Sequence, residues 1–438
     1  MNTLKPLFEK TVFENGLTFV SERLAGYQSL SMGVWVKSGT RHERPSDLGV
    51  SHFLEHMLFK GTTKRSAFQI AREVDRVGGE FNAFTAREHT CFHILLLERD
   101  CTLGLDILTD VLMNSTFKRE EIERERKVIL QEIAMVEESP EELVHDIFFE
   151  VIHPNHGLGK PILGTRESIS KLSRRDLVRV FYSNYRPDQL VFSVAGDISH
   201  KSVQRKLKPL SRLKWPGRKE GPPTELVFSP APGIQPQFWW VDRPTEQVHL
   251  VWGVRGPNFG SDDRFAAFLL NAYLGGGMSS ALFQEIREKN GLAYTVYSSL
   301  TPYVDSGVFS IYVATGVNQV KLCLRLIEDC VKKVKTKAMS EKELRWIKDN
   351  MKGTILLSSD SVESRMSSIA KNEIFLGRYM PPDEVCRAID AVTIDDIRRV
   401  ANFIFKDDTR SVVALGPKPS RSVLTKILPG QLPKYYRT

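Results

Sequence analysis

Apolar positions along the chain follow two different rhythms. In LSMGVWVKSG (30–39) and TCFHILLLE (90–98) they form short runs of strand length, rich in β-branched and aromatic residues. Between such runs lie longer stretches with helical spacing, of which Arg119–Glu138 is an example. Strands and helices alternating in this way predict an α+β class, with helices packed on a mainly antiparallel sheet. No apolar run approaches the roughly 18–20 residues that span a bilayer, and Ile94–Leu97 is far too short.

The pattern occurs twice. FKREEIERERKVILQE (117–132) aligns with MSEKELRWIKDNMKGT (339–354) at an offset of 222, and LVFSVAGDI (190–198) corresponds to TRSVVALGP (409–417). Gly49–Gly61 matches FAAFLLNAYLGGG (265–277) at an offset of 216. Between the copies, 215–237 carries six prolines and three glycines, the composition of a linker. Two homologous α+β halves are therefore expected, 1–214 and 238–438, joined by 215–237, which suits a chain of 438 residues.

Composition narrows the class further. A 41% hydrophobic and 26% charged chain is of the globular type. The formal charge of +8 invites a nucleic-acid reading, but 201–220 alone holds eight Lys/Arg against one acid. The remainder is near neutral, and no aromatic series or DNA- or RNA-binding signature accompanies the basic stretch. We expect a solvated surface segment and no nucleic-acid partner. The first residues, MNTLKPLFEKTVFENG, show neither the apolar core of a secretion signal nor the Arg/Ser-rich character of a transit peptide. The five cysteines form no CxxC pair, so a reducing, cytoplasmic setting without membrane association is expected.

The chemistry concentrates in HFLEHMLFKGT (52–62). His52 and His56, at i and i+4, share one helix face and can reach one ion. Glu55 lies close enough to take a proton from a water at that ion without ligating it. Phe53, Leu54, Met57 and Leu58 form the core face that would hold the helix rigid. The alternative is an ordinary helix carrying three polar residues. A catalytic zinc needs a third protein ligand, and the helix over 121–138 offers Glu125 and Glu132, seven apart and about 10 Å along the axis. Most charges there are ordinary surface pairs, but Glu132 follows Val128-Ile129-Leu130 and precedes Ile133, an apolar setting. In the second copy Phe268, Asn271, Ala272 and Thr354 stand where the first has His52, Glu55, His56 and Glu132. A requirement of the fold would appear in both copies, so the asymmetry favours function.

HFLEHMLFKGT followed by ERERKVILQEI resembles the inverted-zincin metallopeptidases of the pitrilysin/insulinase family. The likeness is greatest to half-size members similar to the β-subunit of the mitochondrial processing peptidase and its bacterial homologues. It extends along essentially the whole chain, including HPNHGLGKPILGT (153–165) and NYRPDQLVFSVAGDI (184–198). The family's third ligand is a glutamate 76 positions after the second histidine, which falls on Glu132. The resemblance implies one Zn²⁺ per chain on His52, His56 and Glu132, Glu55 as general base, and Glu125 as a second acid beside them. It also implies an edge strand in 78–92 whose Asn82 and Ala83 receive an extended peptide. Arg287 and Tyr294 would hold the substrate and polarise its carbonyl, although Ala281 and Asn290 stand where relatives often carry basic residues. Glu142 and Asp146, one helical turn apart, match acids that take an arginine near the cleavage site, the alternative being a solvated acidic patch. The implied activity is zinc endopeptidase cleavage of unfolded peptides or presequence-like segments. A non-catalytic peptide-binding or scaffold subunit of a heterodimeric processing peptidase is the competing reading. A dimer is expected, homodimeric, with a heterodimer of homologous subunits as the alternative.

Overall fold

A computed structural model describes residues 7–211, 230–233, 236–337, 339–406, 410–419 and 434–435. Most of the expected linker, 215–229 with 234 and 235, lies outside the described residues, as do 212–220 of the basic stretch. Its earlier part, 201–211, belongs to helix His200–Ser211.

The first six strands are β1 (Leu7–Val12), β2 (Thr18–Arg23), β3 (Ser29–Val36), β4 (Glu80–Thr85), β5 (Thr90–Leu97) and β6 (Leu190–Gly196). They form one sheet in the order β1-β2-β6-β3-β5-β4, antiparallel except for β2 on β6. The next six are β7 (Gln237–Asp242), β8 (Val248–Arg255), β9 (Ala293–Pro302), β10 (Gly307–Thr315), β11 (Ser411–Gly416) and β12 (Lys434–Tyr435), ordered β12-β7-β11-β8-β10-β9. With β1 and β12 set aside, the other five places are filled in the same chain order in both sheets, ending at the edge strands β4 and β9. Only the outermost differs: β1 runs antiparallel to its neighbour, whereas the last strand, β12, runs parallel to β7.

The duplication expected from the sequence is thus present as topology, with one shift of register. β6 and β11 occupy the same place, and the glycines closing them, Gly196 and Gly416, differ by 220 rather than the 219 of the sequence alignment. The neighbouring strand sets this match: a Cβ would lie 2.7 Å from Leu30 Cδ1 at Gly196 and 2.9 Å from Val248 Cα at Gly416.

Six helices matter for the site: α1 (Val50–Leu58), α2 (Arg119–Glu138), α3 (Pro140–Ile152), α4 (Arg264–Gly275), α5 (Glu341–Ser358) and α6 (Val362–Leu376). The starts of α2 and α5 are separated by the offset of 222 seen in the sequence. Val34, Phe92 and Ile94 of the first sheet form one core with Phe53, Leu54 and Met57 of α1 and Ile122, Ile129 and Ile133 of α2. The opposite face, with Val20, Trp35 and Val191, is covered by Val362, Met366 and Ile369 of α6. In the second sheet, α4 joins the main core, while Val144, Ile147 and Phe148 of α3 cover Val251, Tyr312 and Val413.

The chain accordingly divides into two compact units that do not simply follow its two halves. The first comprises Met1–Ala134, Lys160–Ser229 and Leu357–Met380; the second comprises Met135–Gly159, Pro230–Leu356 and Pro381–Thr438. Each sheet receives one covering helix from the other half of the sequence. A buried contact fastens the first exchange: Arg365 Nε of α6 donates to Glu22 Oε2 at 2.7 Å, Arg365 Nη2 also pairs with Oε1, and Tyr379 Oη donates to the same carboxylate. Cys323 and Cys330 are buried on helix Val320–Thr336. Among the described residues no helix is long and apolar enough to cross a membrane.

Candidate metal centre

α1 has only nine residues, too few to be stable without help from its surroundings. Phe53, Leu54, Met57 and Leu58, the face expected to be apolar, are 0–1% exposed and anchor it to the first sheet's core. Its N-cap is Gly49, with φ +83°, and a Cβ there would come within 2.6 Å of Leu163 O. Since glycine has no capping side chain, Glu43 supplies the acceptors from outside the helix. Its Oε2 receives Gly49 N–H and its Oε1 receives Ser51 N–H, both at 2.8 Å. Burial pushes the Glu43 carboxyl up to about 7, against these hydrogen bonds.

With one face of α1 buried, His52, Glu55 and His56 share the other. The imidazole centroids are 4.6 Å apart. α2 brings Glu132 between them, with Oε2 at 3.7 Å from His52 Nε2 and 3.6 Å from His56 Nε2. One ligand atom from each of the three residues lies within 4.8 Å of the others, and among the described residues this is the one such group of three or more. The histidine pairs 89/93 and 153/156 form no comparable group among the described residues.

The surrounding groups orient this cluster. Glu125, buried one helical stretch before Glu132, lies with Oε2 2.9 Å from His56 Nδ1, while Oε1 accepts from Lys60 Nζ at 2.8 Å. That contact leaves His56 Nε2 toward Glu132, the arrangement by which a carboxylate fixes the tautomer of a metal-binding imidazole. Burial opposes charge on Glu125, but His56 and Lys60 outweigh it and its carboxyl sits below the usual range. Burial likewise opposes the His56 imidazolium, yet Glu125, Glu132 and Glu55 together raise its pKa. Among the described residues His52 Nδ1 has no such partner, and burial, aided by repulsion from His56, pushes the imidazole down to about 3. A neutral imidazole is the form that ligates. Burial raises the Glu55 carboxyl, while a hydrogen bond from Thr85 Oγ1 to Oε2, 2.5 Å long, pulls the other way.

Beside α1 lies β4, an edge strand of the first sheet among the described residues. Asn82 and Ala83 sit in its middle, paired inward with His93 and Phe92 of β5. Arg287 and Tyr294 belong to the second unit and do meet: the guanidinium lies 4.5 Å from the Tyr294 ring centroid, and Nη1 donates to Tyr294 O at 3.2 Å. Tyr294 is 77% exposed. Ala281 packs against the second unit's core, and Asn290 Nδ2 donates to Glu285 O. Glu142 and Asp146 lie one turn apart on α3, also in the second unit. There the neighbouring Glu141 receives the Tyr297 hydroxyl. Sequence reasoning had missed Glu43, Lys60 and Thr85. Lys60 carries a faint signal, four residues after His56; Glu43 and Thr85 act across space and leave none.

Two family models match: the insulinase (peptidase family M16) model over residues 18–166, and the peptidase M16 inactive domain over 171–351. The chain belongs to the insulinase family, peptidase family M16. It is 38% identical over 404 residues to the uncharacterized zinc protease YmxG of Bacillus subtilis, covering 92% of this chain and 97% of that one. It is 37% identical over 425 residues to the uncharacterized zinc protease ML0855 of Mycobacterium leprae, covering 97% and 94%. The fold is shared with a protease from Helicobacter pylori, with TM-score 0.88 at 24% identity over 94% of this chain and 100% of that one. A peptidase M16 inactive domain from Pseudomonas fluorescens has TM-score 0.86 at 19% identity, over 94% and 98%.

Proposed function

We propose that this chain is a zinc endopeptidase that cleaves extended, unfolded peptides or presequence-like segments. The observation carrying the reading is the convergence of His52, His56 and Glu132, with Glu55 on the same helix face. The donor set suits zinc: bonds of about 2.0–2.2 Å to a tetrahedral ion put ligand atoms roughly 3.3–3.6 Å apart, close to the 3.6 and 3.7 Å separations from Glu132. His52, His56 and Glu132 would hold one Zn²⁺ per chain. When bound, zinc polarises a carbonyl and makes water a nucleophile near neutral pH.

Glu55, its basicity raised by burial, takes the proton of the attacking water and delivers it to the leaving amine. The peptide adds to the β4 edge at Asn82 and Ala83, so main-chain hydrogen bonds provide most of the grip. Arg287 and Tyr294 stabilise the developing oxyanion, and Glu142 with Asp146 receive a basic substrate residue. A homodimer in the cytoplasm is the working assembly we propose. A scaffold subunit would need neither the full ligand set nor the base, and this chain retains both. The decisive experiment measures zinc content and cleavage of a basic, unstructured peptide by the full chain and by Glu55→Gln. Equal zinc in both, with activity confined to the parent chain, is expected. Comparable hydrolysis by Glu55→Gln refutes the base assignment, and a parent chain that binds no zinc refutes the whole reading.

A further inference from the structure

The Glu55 carboxylate has one hydrogen-bond donor among the described residues: Thr85 Oγ1, on Oε2. Among the described residues Oε1 accepts no hydrogen bond. α1 therefore fixes where the base begins, but a residue of the edge strand fixes its tip.

That residue is itself firmly held. Thr85 is the last residue of β4 and pairs with Thr90 across the turn, which closes through Ala86 N–H to His89 O at 2.8 Å. The preceding segment braces the turn from outside, with Arg41 N–H donating to Arg87 O at 2.8 Å and Arg41 Nη1 pairing with Glu88 at 2.6 Å. Gly39 permits that approach, because a Cβ there would fall 2.1 Å from Ala86 O. The same segment, 39–43, ends at the glutamate that caps α1. One piece of backbone thus ties the start of the Glu55 helix to the turn that carries Thr85.

We infer that Thr85 is the positioning residue of the base: its hydroxyl holds Glu55 Oε2 so that Oε1 is the oxygen free to accept the proton of the attacking water. This rests on the reading of Glu55 as base. It also makes the β4 edge more than a docking rail, since the strand that receives the peptide sets the orientation of the group that activates water. Thr85 touches no reacting atom; it acts only through Glu55.

The test compares Thr85→Val, which keeps shape and loses the donor, with Thr85→Ser, which keeps the donor. Losing a hydrogen bond to a charged group is expected to lower kcat about 10- to 100-fold for Thr85→Val. KM should stay within about twofold, zinc content should be unchanged, and Thr85→Ser should recover kcat to within a few fold of the parent. A second readout needs neither metal nor turnover. In metal-free protein, Thr85→Val should shift the local unfolding equilibrium of Glu80–Thr85, read by hydrogen exchange, about tenfold or more when Glu55 is present, and little in a Glu55→Leu background. Parental kcat in Thr85→Val, a Thr85→Ser variant no better than it, or equal unfolding shifts in both backgrounds overturns the inference. If Glu55→Gln retains full activity, the base reading itself has failed. If Glu55→Gln is inactive while Thr85→Val is fully active, only the role of Thr85 is lost.

Discussion

The contact between Glu22 and Arg365 offers a sharp test of the architecture, because its partners are 343 residues apart and nothing local would bring them together. Glu22 is completely buried and Arg365 is 4% exposed. Arg365→Met preserves most of the side chain's volume but leaves Glu22 with Tyr379 as its remaining side-chain donor among the described residues. Breaking a buried pair from one side strands a charge and costs about 3–5 kcal/mol. Removing both charges, in Glu22→Leu with Arg365→Met, should recover most of that loss, since apolar replacement of a buried pair is often close to neutral. Because the chain has two compact units, a single unfolding midpoint is a poor gauge of this effect. Hydrogen exchange resolved to Thr18–Arg23 and Val362–Leu376 reports it locally. Protection in both segments should fall together in the single variant and return in the double. A loss below about 1 kcal/mol, or one confined to the helix, would show that α6 is not fastened to the first sheet through this pair.

Two further outcomes concern the metal centre. Glu125→Gln should weaken zinc binding about 10- to 100-fold in chelator competition while leaving all three ligands in place, and Lys60→Met should act in the same direction but less. Glu43 gives a pH signature. Its folded pKa of about 7 lies above the ordinary glutamate value of 4.5, so its contribution to stability is fully present below about pH 4.5 and is lost as pH rises through 7. Relative to Glu43→Gln, the metal-free parent should lose up to about 3 kcal/mol between pH 4.5 and 8 in the local stability of Val50–Leu58, read by hydrogen exchange corrected for its intrinsic pH dependence. A pH-independent difference would refute that account.

Much of the site could be read from the chain because it is local or helical. The i, i+4 histidines, the glutamate before the second and the Glu125–Glu132 spacing are statements about one helix at a time; both histidines lie on a helix, and the second helix spans the expected Arg119–Glu138. The duplicated sheet was legible for the same reason, apart from the one-residue slip at Gly196 and Gly416, which depends on how closely a neighbouring strand approaches. Thr85, Glu43 and the exchange of α3 and α6 were not legible. Thr85 and Glu43 act through hydrogen bonds to a different element, and for the exchanged helices periodicity reveals that a face is buried without saying against what.

That exchange gives the chain a timetable. A polypeptide released as far as residue 214 has every strand of the first sheet and all three candidate ligands. It still lacks Val362, Met366 and Ile369, which cover Trp35 and Val191. The apolar surface over those side chains stays exposed until translation has passed residue 376, late in a chain of 438. Here the half that holds the three candidate ligands lacks that cover until most of the other half has been synthesised.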